Sequence, residues 1–228
     1  MVSPDELIKK YGADTVRLYT LFIGPPEKDA EWSDRGAEGA YRFLGRLWRL
    51  VESAKDFKPE RPDKNASAGL RRKTHKTIKS ITEDIERDFH FNTAISSIME
   101  LVNSTYDALE NNADQDSIKE ALTSLVLLAS PFVPHIAEEL WVKLGQRPPL
   151  VRSEWPKYDE ALMKEESVTI IVQIDGKVRS RIKAPSDITK ESLKGLVMAD
   201  DKVTRWTKDR KIKDFITVPN KLVNIVTE

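Results

Sequence analysis

The 228-residue sequence has no cysteine, only three histidines and no long run of apolar residues. The lack of cysteine excludes disulfides, thiolate metal sites and cysteine nucleophiles. The longest apolar run, Leu125 to Ala129, is far shorter than the roughly 20 residues that cross a membrane as a helix. The first residues are polar, so no signal peptide is visible. We therefore expect a cytoplasmic protein without a membrane partner.

The motifs of common catalytic sites are also missing. The sequence has no glycine-rich phosphate loop, no His-Glu zinc motif and no Ser-His-Asp arrangement. His75, His90 and His135 are dispersed, and we expect them at polar helix junctions or on the surface. Glu138 and Glu139 are adjacent and would lie on different faces of a helix. We predict no catalytic residue and no metal site in this chain.

Charge is balanced overall but unevenly distributed. The chain has 37 Lys and Arg against 37 Asp and Glu. From Ser167 to the end there are 13 basic and 8 acidic residues, a net charge of +5, which leaves −5 on the rest. A basic terminal unit indicates either a polyanionic partner or an ordinary solvated surface.

Apolar periodicity predicts a helical bundle over the first 145 residues. Pro131 and Pro134 end one helix and start the next, after which Ile136, Leu140 and Trp141 share a face. Seven helices are predicted, beginning near residues 4, 14, 34, 67, 93, 117 and 134. Residues 146–157, which include three prolines, are predicted to be part of a linker.

The third predicted helix has two distinct faces. Its apolar face is expected to bury Ala37, Tyr41, Leu44, Trp48 and Val51. Another face contains a row of arginines, which could be solvated or could contact phosphates: Arg35, Arg42, Arg46 and Arg49.

The pattern changes to strands after Ser167. Residues 168–174 are β-branched and apolar, and Asp175-Gly176 is a two-residue hairpin turn signal. In the returning strand, alternation predicts Val178 and Ile182 on one face, with the cations on the other: Lys177, Arg179, Arg181 and Lys183. Two short helices and a second hairpin follow. The predicted class is α+β overall, mainly an α-helical bundle followed by a small α+β domain.

Several segments together resemble the C-terminal part of bacterial leucyl-tRNA synthetases, which are class I aminoacyl-tRNA synthetases. Segments shared with the related valine, isoleucine and methionine enzymes are 2–18 (VSPDELIKKYGADTVRL), 31–36 (EWSDRG), 42–48 (RFLGRLW), 89–95 (FHFNTAI) and 130–141 (SPFVPHIAEELW). Segments typical of the leucine enzymes are 155–161 (WPKYDEA), 172–179 (VQIDGKVR) and 219–226 (PNKLVNIV).

The resemblance implies four regions. Residues 1–26 would end the catalytic or stem-contact region, 27–145 would be the helical anticodon-binding domain, 146–166 a linker, and 167–228 a small α+β tRNA-binding domain. The catalytic core would lie outside this chain, which alone would be inactive.

The resemblance also implies a reaction and a partner. The parent enzyme would join leucine to tRNA(Leu) with ATP and Mg²⁺, and this chain would bind tRNA but not DNA. Recognition would be of shape and backbone, through Arg and Lys. The expected tRNA-binding residues are Lys177, Arg179, Arg181, Lys183, Arg42, Arg46 and Arg49. The alternatives are a free-standing, non-enzymatic RNA-binding module, or the corresponding part of a valine or isoleucine enzyme.

Overall fold

The computed structural model describes residues 4–24, 31–164, 167–186, 188–208 and 210–228. The chain forms two compact units, residues 1–163 and 164–228. The first unit is helical and the second contains a four-stranded sheet with two helices. The predicted α+β class is therefore confirmed. The four functional regions implied by the resemblance stay a prediction, and the boundary between residues 26 and 27 lies outside the described residues.

Seven helices build the first unit. They are α1 (Pro4–Tyr11), α2 (Ala13–Phe22), α3 (Asp34–Ala54), α4 (Lys64–Asp88), α5 (Phe91–Glu110), α6 (Gln115–Ala129) and α7 (Pro134–Lys143). The predicted corner between α6 and α7 lies in the core, where Leu125, Phe132 and Leu140 are fully buried. Pro134 occupies the first turn of α7, where its missing N–H costs no helical hydrogen bond.

Three helix starts lie before the predicted positions. Helix α4 begins at Lys64 rather than near Ser67, since the Asp63 carboxylate accepts a hydrogen bond from the Ala66 amide at 2.7 Å. Helix α5 begins at Phe91, so the predicted cap Asn92 is inside the helix. Helix α6 begins at Gln115 rather than near Ser117, since the Asp114 carboxylate accepts a hydrogen bond from the Ser117 amide at 2.7 Å. These shifts leave the order of the helices unchanged.

Helix α3 buries a different apolar stripe from the predicted one. Ala37, Leu44 and Val51 are buried as expected. In contrast, Tyr41 is 54% exposed and Trp48 is half-buried. Both aromatic side chains border a surface groove, because Leu47 and Leu50 occupy the helix face that meets the core.

Part of the predicted linker is attached to the helical unit. We call residues 150–160 the strap. The Trp155 indole N–H donates to Thr82 of α4 at 2.9 Å, and the Asp159 amide donates to the ring of His75 at 3.0 Å. Lys79 of α4 forms an ion pair with Glu160 at 2.9 Å. Residues 155–160 of the strap therefore pack along α4 instead of forming a free connection.

The second unit is a four-stranded sheet with helices α8 (Lys190–Met198) and α9 (Asp201–Thr207). The strands are β1 (Ser167–Ile174), β2 (Lys177–Pro185), β3 (Ile212–Val218) and β4 (Leu222–Thr227), in the spatial order β2-β1-β4-β3. β1 pairs antiparallel with β2 and parallel with β4, and β3 pairs antiparallel with β4. Both helices pack on one face of the sheet, where Val172, Leu193 and Val203 share a core.

Candidate nucleic-acid interface

The four cations predicted on one face of β2 are divided by a β-bulge. Val172 pairs with Ser180, but the next residue, Gln173, pairs with Val178, so Arg179 is an extra residue without a partner. A bulge reverses the alternation of side chains on one side of it. The prediction that all four cations share one face is therefore wrong.

Arg181 and Lys183 are the two cations that lie together. They pair with Ile171 and Thr169 on the sheet face opposite the helices, and both are exposed. We call them the outer-face pair. Among the residues that the structure describes, neither side chain has an ion pair or hydrogen bond, so both charges are available to an anion.

Lys177 and Arg179 are directed differently. Lys177 pairs with the buried Ile174 and so starts on the helix-covered side of the sheet, at its exposed end. The guanidinium carbon of Arg179 lies 3.5 Å from the centre of the Trp206 ring on α9. The bulge thus turns Arg179 away from the outer-face pair and onto an aromatic ring.

The predicted hairpin turn joins β1 and β2. Asp175 and Gly176 have φ values of 50° and 76°, as a two-residue turn with two positive φ angles requires. The Asp175 carboxylate accepts hydrogen bonds from the amide and hydroxyl of Thr227, at 2.9 and 2.8 Å, and pairs with Arg210 at 3.2 Å. The hydrogen bond from the Thr227 amide is the main cause that lowers the pKa of Asp175 below its usual value, with the charges of Arg210 and Arg179 contributing. This carboxylate ties the turn to the end of β4.

The α3 arginines are exposed but do not act as one row. Arg42 lies 3.6 Å from Glu38, and Arg46 stacks over the ring of Tyr106 at 4.9 Å. Arg49 has no ion pair or hydrogen bond within the described parts of the chain. Arg42 and Arg49 border one groove, and Arg42 and Arg46 border another.

The larger of these grooves lies between α2, α3 and α7 and has a volume of about 750 Å³. Three aromatic side chains contribute to its walls, Tyr11, Tyr41 and Trp48, together with Arg42 and Arg49. Aromatic rings beside arginines are a common surface for RNA, because bases stack on the rings while the cations meet phosphates. Apolar periodicity predicts Tyr41 and Trp48 in the core, so the sequence alone does not indicate this groove.

Helix α2 fixes the α6–α7 corner next to the groove. The largely buried Asp14 carboxylate accepts hydrogen bonds from the Ile136 amide and from Nδ1 of His135, both at 2.7 Å. Arg17 donates to the carbonyls of Pro131 and Phe132, at 3.1 and 3.3 Å. The negative Asp14 carboxylate therefore binds the N-terminus of α7, and the positive Arg17 guanidinium binds the carbonyls that precede it.

The expectation of a helix junction or a surface position is correct for His90 and wrong for His75, which lies in the middle of α4. His75 is buried, and its Nε2 lies 2.9 Å from Glu120 of α6 while Nδ1 accepts from the strap. Because Nδ1 accepts a hydrogen bond there, the ring proton is on Nε2. His90 precedes α5 as its N-terminal flanking residue.

The parts of the chain that the structure describes offer neither a metal site nor a membrane span. They contain no group of three or more His, Cys, Asp or Glu side chains placed to hold a metal ion. Every helix within the same ranges is too short or too polar to span a bilayer.

Comparison with known proteins identifies the family. Residues 68–194, more than half of the chain, match the family described as the anticodon-binding domain of tRNA ligase. The chain belongs to this family. The match begins in α4 and ends in α8, so it includes β1 and the bulged strand β2.

Similar proteins are leucine–tRNA ligases. The chain is 45% identical to that of Syntrophobacter fumaroxidans over 99% of its own length, and 48% identical to that of Thermosipho melanesiensis over 100%. Each match covers 29% of the relative. The chain thus spans less than a third of the relatives' length. The resemblance inferred from residues 155–161, 172–179 and 219–226 is confirmed.

A solved structure has the same fold over the whole chain. It is the LeuRS of Agrobacterium radiobacter K84, crystallised as a ternary complex with tRNA and LeuAMS. The TM-score is 0.83 at 30% identity, and the match covers 100% of this chain and 30% of that one. The seven predicted tRNA-binding residues stay a prediction.

Proposed function

We propose that this chain is the tRNA-binding part of a leucine–tRNA ligase and that it holds tRNA(Leu) by its backbone. The complete enzyme would join leucine to tRNA in the cytoplasm, using ATP and Mg²⁺ at a catalytic core outside this chain. This chain alone would bind tRNA without charging it. The support is the match to leucine–tRNA ligases over 99–100% of the chain.

The outer-face pair of the second unit provides the first contact. Arg181 and Lys183 are two residues apart on one face of an edge strand, so their charges project in the same direction at a spacing of about 7 Å. That spacing is close to the distance between successive phosphates in an RNA strand. Both side chains are unpaired among the described residues, so binding would not require breaking an existing ion pair.

The first unit provides a second contact through α3. Arg42 and Arg49 border the groove and can contact phosphates. Tyr41 and Trp48 border it too, and bases can stack on their rings. Arg46 belongs to the proposed surface as well, with its guanidinium positioned over Tyr106. Lys177 and Arg179 complete the predicted set in the second unit.

Cations on β2 have a competing explanation that needs no RNA. β2 is an edge strand, and charged side chains on an edge prevent pairing with another chain. A charge of either sign serves that purpose, whereas only positive charge binds phosphate. Charge reversal therefore separates the two explanations.

The experiment measures binding of a leucine tRNA transcript to the purified chain and to Arg181→Glu/Lys183→Glu. We expect a loss of about tenfold per contact, since a hydrogen bond to a charged group is worth about 1.5–3 kcal/mol. The control is Lys213→Glu/Lys221→Glu, which makes the same charge change at exposed positions elsewhere in the second unit. Equal losses of affinity in both variants would show that binding depends on net charge alone and would refute the assigned contacts.

A matched pair on α3 tests the second surface. Arg49→Glu should weaken binding, whereas Arg35→Glu, which makes the same charge change at an exposed position of the same helix that does not border the groove, should weaken it less. Equal effects would remove the groove from the proposal and leave the β2 contacts intact.

A further inference from the structure

Trp206 on α9 is a large aromatic side chain that the core of its unit does not use. It is 41% exposed and does not belong to the hydrophobic cluster formed by Val172, Leu193, Val203 and their neighbours. Its indole N–H has no hydrogen-bond partner within the described ranges. Packing and hydrogen bonding therefore do not explain why a tryptophan occupies this position.

One contact does define the position of the Trp206 ring. The guanidinium of Arg179 lies over it, with its carbon 3.5 Å from the ring centre. That distance corresponds to direct stacking of a planar cation on an aromatic face. Arg179 covers one side of the indole, and 41% of the residue remains accessible to solvent.

Arg179 reaches the ring because of the bulge in β2. It is the unpaired extra residue between Val178, opposite Gln173, and Ser180, opposite Val172. Without the bulge, alternation would place Arg179 on the same face as Arg181. The Arg179 Nε is also buried without a hydrogen-bond partner, which costs free energy in a folded protein. The strand is thus irregular and leaves one donor without a partner at the residue that stacks on Trp206.

The chemistry of this pair suits one kind of ligand. A half-exposed indole with a free N–H offers a base both a surface for stacking and a hydrogen-bond donor. The guanidinium behind the ring fixes its orientation and adds positive charge near a polyanion. Residues 167–228, with their net charge of +5, provide a favourable electrostatic environment for that ligand.

We propose that Trp206, positioned by Arg179, is a stacking platform for an unpaired nucleobase of the RNA that this chain binds. The proposal rests on the proposed function and adds a base contact to the phosphate contacts of Arg181 and Lys183. It also assigns Arg179 a positioning role instead of the direct phosphate contact predicted from sequence.

The experiment compares wild type, Trp206→Leu and Trp206→Phe in the full chain. The probes are a leucine tRNA transcript, which has loops, and a blunt-ended RNA duplex. Trp206→Leu removes one base-stacking contact and should bind the tRNA about tenfold more weakly. Trp206→Phe keeps an aromatic ring and should retain most of the affinity. Duplex binding should change little. The control is Leu196→Ala, which removes another exposed apolar side chain from the same unit.

The salt dependence distinguishes stacking from charge. Trp206→Leu should weaken binding at every salt concentration and leave the log–log slope unchanged, because no phosphate contact is lost. Arg179→Lys keeps the charge but removes the planar group, so it too should weaken tRNA binding without changing the slope. A slope that falls by about one for Arg179→Gln together with full binding by Arg179→Lys would assign Arg179 to a phosphate and overturn its positioning role.

Fluorescence gives a second readout that does not depend on affinity. Stacking of a base on Trp206 should quench its emission in wild type when tRNA is added at saturation, and this component should be missing in Trp206→Leu. If wild type binds tRNA, and Trp206→Leu and Trp206→Phe bind it as tightly as wild type with the same quenching, the platform is refuted while the proposed function stands. If wild type does not bind tRNA, both proposals fail.

Discussion

We expect substitution of Asp14 in α2 to destabilise the helical unit. Its carboxylate accepts one hydrogen bond from the Ile136 amide in the first turn of α7 and one from Nδ1 of His135. Val133, the residue that precedes α7, provides no side-chain cap. Asp14 therefore acts as the cap of a helix that lies about 120 residues further along the chain.

The expected magnitude follows from these two bonds. Loss of a helix cap costs about 1 kcal/mol, and loss of a hydrogen bond to a charged group costs about 1.5–3 kcal/mol. The His135 side chain is 76% exposed, which places its bond at the low end of that range. We expect Asp14→Ala to lower the free energy of unfolding of the helical unit by about 2–3 kcal/mol. Asp14→Asn keeps one acceptor oxygen and should lose about half as much.

The assay must report on the helical unit alone, because a chain of two units need not unfold in a single two-state transition. Hydrogen exchange of the α7 amides, measured by mass spectrometry with increasing urea, meets this requirement. The control is Asp5→Ala, an exposed acidic residue in the first turn of α1, for which we expect less than about 0.5 kcal/mol. Unchanged exchange of α7 in Asp14→Ala would refute the capping role.

Two further predictions concern the turn of the second unit and the α2–α3 contact. Asp175 has a folded-state pKa below its unfolded value, so its stabilising effect is full above the unfolded pKa and is lost as pH falls through the folded one. The stability difference between wild type and Asp175→Asn, measured by hydrogen exchange of β4, should therefore shrink below about pH 4; a difference independent of pH would contradict this. Gly36→Ala would place a methyl group 2.5 Å from the buried Tyr19 ring and should cost about 1–3 kcal/mol. Gly39→Ala, in the same helix with nothing within 4 Å, should instead stabilise by up to about 1 kcal/mol, and equal behaviour of the two variants would disprove the packing.

Local signals in the sequence predicted the order of helices and strands well. Pro131 and Pro134 mark the corner, Asp175-Gly176 marks the hairpin, and Thr189 caps α8 through the Ser192 amide as expected. Each of these features depends on residues within a few positions of one another. Helix and turn chemistry at that range is readable without knowledge of the tertiary contacts.

The candidate site could be predicted only in part, because its geometry depends on contacts between distant residues. The bulge at Arg179 is set by the register against β1 and by the stack on Trp206, so simple alternation assigned Arg179 to the wrong face. Tyr41 fits an apolar helical stripe, but its ring meets Tyr11 of α1 at 6.1 Å instead of the core. Periodicity indicates which residues can be buried, and the packing partners decide which of them are.

The strap is another feature that depends on contacts between distant residues. Its one proline and its polar residues are typical of a linker, yet Trp155 and Asp159 are held by side chains of α4. A single hydrogen bond from an indole to a threonine hydroxyl 73 residues away leaves no periodic trace in the sequence. Linker composition therefore did not reveal the attachment.

The salt dependence of tRNA binding is the most direct test of the backbone-contact account. With about four phosphates contacted, the affinity of the wild-type chain for leucine tRNA should fall with salt at a log–log slope of about −3 to −4. Replacing Arg181 and Lys183 by glutamine should make that slope less steep by about 1.5–2. Binding that is independent of salt, or a slope that these two substitutions leave unchanged, would contradict the assignment of the outer-face pair to the tRNA backbone.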